Sequence, residues 1–221
     1  MMKRARENGF LDLTIHNLRD WAADRHKSVD DKPSGGSAGM VMMAPVIDSA
    51  LGALRREESR VVLLSPQGRV LDQEMAKRLS LTKHLILISG HYEGVDERVR
   101  ELLVDEEISI GDIVISNGTL AAMLLIDAVV RLLPGVVGDA RSIREDSFYE
   151  GLLDYPQYTK PRVFRGCEVP EVLVSGDHEK VRRWRRREAL RRTFERRPDL
   201  IAKARLSDED REFIRELSEQ Q

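Results

Sequence analysis

The chain has 221 residues, 41% hydrophobic and 33% charged, and its 36 Lys and Arg against 38 Asp and Glu leave a net charge of −2. That length supports one large core or two modest ones, while the charge density and the lack of any run near the ~20 apolar residues of a span exclude an integral helical membrane protein. A lone cysteine, Cys167, excludes an intrachain disulfide and any Cys-x-x-Cys site, and with no signal-peptide core in MMKRARENGF the expectation is a cytoplasmic protein without membrane contact.

In chain order, Leu11 to Ile15 alternates apolar and polar side chains and reads as a strand, and Trp21 to Lys32 as a loop. The loop ends in DDKPSGGSAGM, where Gly35, Gly36 and Gly39 allow tight turns or close approach to a ligand. The pattern is neither a P-loop nor a dinucleotide fingerprint, and a surface loop explains it equally well. Pro45 to Glu57 reads as a helix and Val61 to Leu64 as a strand buried on both faces, broken by Ser65-Pro66-Gln67-Gly68. Asp72 to Leu79 is a short helix. Leu85 to Ile88 is a strand that runs into Gly90, Tyr92, Glu93 and Gly94 and then into a helix with Asp96 and Glu97 in its first turn. A strand at Ile113 to Ser116 ends in Asn117-Gly118, and an apolar helix from Leu120 to Leu133 closes on Pro134-Gly135. This alternation predicts an α/β fold, an open and mostly parallel sheet with helices on both faces. Ligands of such sheets sit beyond the carboxyl ends of the strands, where the turns Ser65-Pro66, Gly90 to Gly94 and Ser116 to Gly118 should converge.

From Asp139 to Pro170 the chain is polar and proline-spaced and reads as a linker with one short helix, Ser142 and Glu145 standing at capping-box spacing before Phe148. Val172 to Ser175 reads as a strand. His178 to Arg197 then holds ten Lys and Arg against three Glu, on a helix that buries Val181, Trp184, Leu190 and Phe194, and Ser207 with Asp210 signals a last helix. Three segments are expected: an α/β domain at 1–138, a linker at 139–170 and a small basic helical domain at 171–221. The basic run fits a polyanionic partner, or simply a solvated helix face.

The blocks SGHYEGVDERV, SIGDIVIS, AAMLLIDAVVRLLPGVVG and EDSFYEGLLDYPQYTKP resemble the bacterial tRNA (guanine-N1-)-methyltransferases of the SPOUT, or trefoil-knot, class over nearly the whole chain. The resemblance implies a knotted sheet and transfer of a methyl group from S-adenosylmethionine to N1 of the guanine immediately 3′ of the tRNA anticodon. It also implies a homodimer with active sites between subunits. The donor would lie among Leu64, Ser65, Pro66, Gly90, Tyr92, Glu93, Gly94, Ser109, Ile110, Gly111, Asp112, Ile113, Val114, Ile115 and Gly118. Singly, each glycine there is also a plain turn and each isoleucine a core position. Asp146 matches the family's general base, or is a helix-start acid. Arg131 matches the residue that stabilises charge developing on guanine O6, or is a solvated cation at a helix end. Asp154 is carried over as a substrate contact, and Arg182, Arg183, Arg186 and Arg187 as contacts to tRNA phosphates.

The chain departs from the family pattern in several places. A further strand and helix ordinarily precede the position of Met1, and a truncated gene model or fragment is expected. Ser34, Ser37 and Ala38 replace a Tyr and a Gly-Pro, Ile113 replaces a Tyr, Asn117 and Thr119 interrupt a Gly-Gly-Glu, and Ala121 replaces a Pro. Two rival readings stand beside the methyltransferase: a non-catalytic RNA-binding relative with weakened donor binding, and an enzyme acting on another RNA base. None of His16, His26, His84, His91 and His178 has metal-ligand spacing, so no metal site is expected, and a magnesium requirement enters by resemblance alone.

Overall fold

The computed structural model describes residues 1–219, and for residues 140 and 141 the backbone alone. The chain divides into two compact units, Met1–Gly138 and Asp139–Gln221.

Unit 1 is built around Val61, Val62, Leu63 and Leu64, each no more than 5% exposed. They sit in β1 (Ser59–Val70), the central strand of a three-stranded sheet, between β2 (His84–Ser89) and β3 (Glu106–Ser109), both parallel to it. Side chains alternate faces along a strand, so four apolar residues in a row need cover on both sides. Val62 and Leu64 pack with Met75 and Leu79 of α2 (Gln73–Ser80) and Leu125 and Val129 of α4 (Thr119–Val130). Val61 and Leu63 pack with Ile47 and Leu51 of α1 (Ala44–Leu54) and Val99 of α3 (Glu97–Leu102). The helices after β1 and β3 therefore cover one face and the helix after β2 the other, which opens a crevice at the carboxyl ends of the strands.

The break expected at Ser65-Pro66-Gln67-Gly68 is a bulge inside one strand. Pairing of β1 with β3 reaches Ile108 from Leu64 and resumes at Ile108 from Arg69. A Cβ on Gly68 would lie 2.4 Å from the Ile108 amide nitrogen, so the bulge folds back on β3 only because that side chain is absent.

Other expectations are corrected. Leu11 to Ile15 is not a strand: it pairs with no strand among the described residues, and Ile15 is 89% exposed. Nor is Ile113 to Ser116; the third strand lies earlier, at Glu106–Ser109. Its two glutamates masked it. The Glu106 carboxylate is held by Arg60 at 3.0 Å and by Arg78, and that of Glu107 by Arg100 at 2.8 Å, so charged side chains occupy a sheet position that patterning reserves for apolar ones. Val172 to Ser175 is a single helical turn, Glu171–Val174, led in by Pro170. The loop read at Trp21 to Lys32 contains the strand Asp30–Asp31, which pairs antiparallel with Val41–Met42 across the glycine-rich segment.

In unit 2, α5 (His178–Arg196) packs with α6 (Asp208–Glu219) through Leu190, Phe213 and Leu217. Asp177 caps α5 by accepting from the amides of Glu179 and Lys180 at 3.1 and 3.0 Å. Ser207 and Asp210 form the reciprocal pair their spacing predicts: each amide donates to the other's side chain, at 2.9 and 3.2 Å. The segment read as linker joins this core: Leu152 is buried with Leu190, and the Leu153 amide donates to the buried Thr193 hydroxyl at 2.9 Å.

Candidate active site

The bulge within β1, the turns after β2 and β3 and the start of α4 enclose a cleft of about 300 Å³ in unit 1. Leu64, Ser65 and Pro66 line it from β1, and Gly90, Tyr92, Glu93 and Gly94 from the turn after β2. Ser109, Ile110, Gly111, Ile113, Val114, Ile115 and Gly118 line it from the stretch after β3. Asp112 does not: the Ile113 amide donates to the Gly111 carbonyl at 2.8 Å, and the tight turn leaves Asp112 exposed at its apex. Gln67, His91 and Asn117 also line the cleft; the sequence reading named none of them as a donor contact, although His91 and Asn117 fall within turns expected to converge there and Gln67 lies in the β1 bulge.

Local chemistry holds these turns. The Ser109 hydroxyl, itself buried, accepts from the Gly111 amide at 3.1 Å and lies 3.1 Å from the Gly111 carbonyl. Gly111 has φ +130°, a conformation that favours glycine. Tyr92 also takes a positive φ, +57°, and its amide donates to His91 Nδ1 at 2.8 Å. The far end of the glycine-rich segment docks on this turn: the Glu93 amide donates to the Met40 carbonyl at 3.1 Å, and the Met42 amide to the Gly94 carbonyl at 3.0 Å. A Cβ on Gly39 would meet Glu93 Cγ at 2.5 Å. One glycine of the motif therefore serves close packing against a cleft residue. At the start of α3, the Arg98 side chain and amide hold the Asp96 carboxyl at about 2.

A second cleft, of about 290 Å³, lies within unit 2. Asp146, Asp154, Arg182 and Arg186 line it, with Glu145, Tyr155, His178 and Arg185 beside them; Arg183 and Arg187 do not. The Asp154 carboxylate is fixed by the Tyr155 amide at 2.7 Å and the Gln157 side-chain amide at 3.2 Å. The Tyr155 hydroxyl donates to Glu145 at 2.7 Å, and burial, with that bond, raises the phenol above its ordinary value. The Arg185 guanidinium lies 4.8 Å over the Tyr155 ring.

The arginines of α5 are more engaged than their number suggests. Arg182 and Arg183 reach Glu179 at 2.9 and 3.4 Å, and Arg187 reaches Glu216 at 3.9 Å. Arg186 donates twice to buried Asp210, at 3.1 and 2.7 Å. Its bond to Asp210 raises the guanidinium further. Burial alone would lift the Asp210 carboxyl, but Arg186 and the Ser207 amide outweigh it and hold it below the ordinary range. Arg131 belongs to unit 1 and follows the last residue of α4, its amide donating to the Asp127 carbonyl at 3.2 Å.

Among the described residues, no group of three or more His, Cys, Asp or Glu side chains could hold a metal ion, and no helix is long and apolar enough to cross a membrane.

A family model described as tRNA (Guanine-1)-methyltransferase TrmD matches residues 1–203. Three proteins named tRNA (guanine-N(1)-)-methyltransferase are similar over nearly the whole chain. The one from Moorella thermoacetica is 56% identical over 99% of this chain and 89% of its own length. That from Dictyoglomus turgidum is 51% identical over 100% and 89%, and that from Geobacter metallireducens 52% identical over 99% and 90%.

Proposed function

The chain belongs to the tRNA (guanine-1)-methyltransferase family, and we propose that it moves a methyl group from S-adenosylmethionine to N1 of the guanine immediately 3′ of the tRNA anticodon. Beyond membership, the observation that carries the reading is the unit 1 cleft, which gathers the β1 bulge and two turns far apart in sequence on a doubly covered sheet.

The residues present fit the donor. Gly90, Gly94, Gly111 and Gly118 line the cleft without side chains, which lets an adenine approach the backbone closely, and Ile110, Ile113 and Ile115 offer an apolar wall for its ring. When bound, S-adenosylmethionine supplies an electrophilic methyl on sulfonium sulfur. The protein's part is position and charge. The guanine N1–carbon bond forms as the carbon–sulfur bond breaks, and the N1 proton passes to the Asp146 carboxylate, a role worth roughly 10²- to 10⁴-fold in rate. Arg131 stabilises the negative charge that grows on O6.

In this reading Asp154, held by Tyr155 and Gln157, faces the target base. Arg182, Arg183 and Arg187 contact tRNA phosphates, whereas the two hydrogen bonds that Arg186 donates to Asp210 favour a structural part for it. The linker reading of 139–170 becomes a segment that carries Asp146 within unit 2. The functional unit is a homodimer in the cytoplasm, its sheet region threaded in the trefoil knot of the class. An apolar helix face supports pairing of two copies: Leu120, Met123 and Leu124 stand at one-face spacing on α4, and all are exposed, Met123 by 60%. A magnesium requirement rests on the family resemblance alone, and no step here is routed through the ion.

Calorimetric titration with S-adenosylmethionine tests the donor site. Saturable heat, absent with adenosine triphosphate, is expected; no heat at any soluble donor concentration would contradict the reading.

A further inference from the structure

Every residue from 157 to 168 is exposed, yet this stretch is built into a regular hairpin. Val163–Phe164 pairs antiparallel with Cys167–Glu168, and the Val169 amide extends the ladder to the Arg162 carbonyl at 2.9 Å. The two-residue turn, Arg165-Gly166, takes positive φ at both positions, +51° and +81°, the geometry that matches strand twist. Two strands with no core beneath them are marginal alone, and this pair leaves large apolar surface in water: Phe164 is 62% exposed and Val163 50%, with the half-exposed Tyr158 ring nearby in sequence, 6.3 Å from that of Trp184.

The chemistry of that surface specifies what covers it. Lys160, Arg162 and Arg165 form no ion pair among the described residues, in contrast to Arg182, Arg183, Arg186 and Arg187 of α5. Glu168 is the one carboxylate between 157 and 168. Arg162 and Phe164, two residues apart, share a face of the strand, and the Arg165 guanidinium lies 5.4 Å over the Phe164 ring. Open cations interleaved with exposed rings suit one polymer above others. Single-stranded RNA offers phosphates for the former and the faces of unstacked bases for the latter.

We propose that the hairpin at 160–168 is an RNA-binding element, with Phe164 as a stacking platform for an unpaired base and Arg162 and Arg165 as phosphate contacts. The proposal rests on the tRNA reading and deepens it: the RNA would be the single-stranded loop of the substrate tRNA, held by this hairpin rather than chiefly by the arginine-rich helix. The hairpin positions substrate and takes no part in the chemistry.

The test uses the full chain and a fluorescently labelled unmodified tRNA transcript, with dissociation constants measured by anisotropy across a salt series. Phe164→Ala should weaken binding roughly 5- to 100-fold, Phe164→Tyr should restore it, and S-adenosylmethionine affinity and melting temperature should stay at wild-type values. Replacing Arg162 and Arg165 together by Gln should lower the slope of log affinity against log salt by roughly 1 to 1.5. Unchanged affinity and slope in these variants would overturn the proposal, as would loss of dimer mass in sedimentation, which would make the hairpin an interface between copies. Failure of the tRNA reading itself shows separately, in a wild-type chain that binds S-adenosylmethionine but transfers no methyl to tRNA.

Discussion

The amide of Gly118 donates to the carbonyl of Gly90 across 2.8 Å, tying the turn before α4 to the end of β2. A Cβ at residue 118 would lie 2.9 Å from the Gly90 nitrogen and 3.1 Å from Ser89 Cα, both backbone atoms that yield little. The absence of a side chain is therefore what lets two walls of the unit 1 cleft touch. Gly118→Ala should introduce strain of about 1–3 kcal/mol and weaken S-adenosylmethionine binding in calorimetry, whereas Gly138→Ala, with open space around its Cβ position, should leave binding unchanged. Equal donor affinity and stability in the Gly118→Ala protein would show that the contact is not needed.

Arg186 should prove to be a stability residue. Its removal strands the buried Asp210 carboxylate with the Ser207 amide as its remaining bond in the capping pair. Because Arg186 is itself 35% exposed, the cost is discounted for solvent screening to about 1–3 kcal/mol. Urea unfolding of Arg186→Ala should show that loss. Arg183→Ala, whose side chain is 64% exposed, should unfold within about 0.5 kcal/mol of wild type. Comparable stability of the two variants would contradict the assignment.

Acid should destabilise both units by the same mechanism. Burial pushes the Glu106 carboxyl up, but Arg78 and Arg60 more than offset it, so it is held below its ordinary 4.5; Asp210 is likewise held below 3.8. A carboxyl whose folded value is depressed contributes stability that is fully present above its unfolded value and lost as pH falls through the folded one. Melting temperature should therefore gain nothing from these groups above about pH 5 and fall as pH drops below about 4.5. In Glu106→Gln the fall should be shallower. A fall equal to that of wild type would remove Glu106 from the account.

Much of unit 1 was legible in the sequence because its signals are local and redundant. Val61 to Leu64 is apolar without interruption, and Asp96 and Asp72 stand at helix starts where the structure has them as caps. The cleft was legible for a different reason: the alternation of strands and helices implies a parallel sheet, whose topology brings Ser65-Pro66, Gly90 to Gly94 and Ser116 to Gly118 together. What stayed hidden depends on partners distant in sequence. Glu106 and Glu107 look unsuited to a strand until Arg60, Arg78 and Arg100 are beside them. Arg186 reads as one of many phosphate ligands until Asp210, 24 residues on, is found bonded to it. The hairpin at 163–168 turns on Arg165-Gly166, a pair that patterning reads as polar linker.

The central claim is tested most directly by digesting an undermodified tRNA transcript to nucleosides and oligonucleotides after incubation with the protein and S-adenosylmethionine, and analysing both by mass spectrometry. The account predicts 1-methylguanosine in the oligonucleotide that contains the guanine 3′ of the anticodon, formed roughly 10²- to 10⁴-fold more slowly by Asp146→Asn with tRNA affinity retained. Methylation at another base, or equal rates from the wild-type and Asp146→Asn proteins, would contradict it.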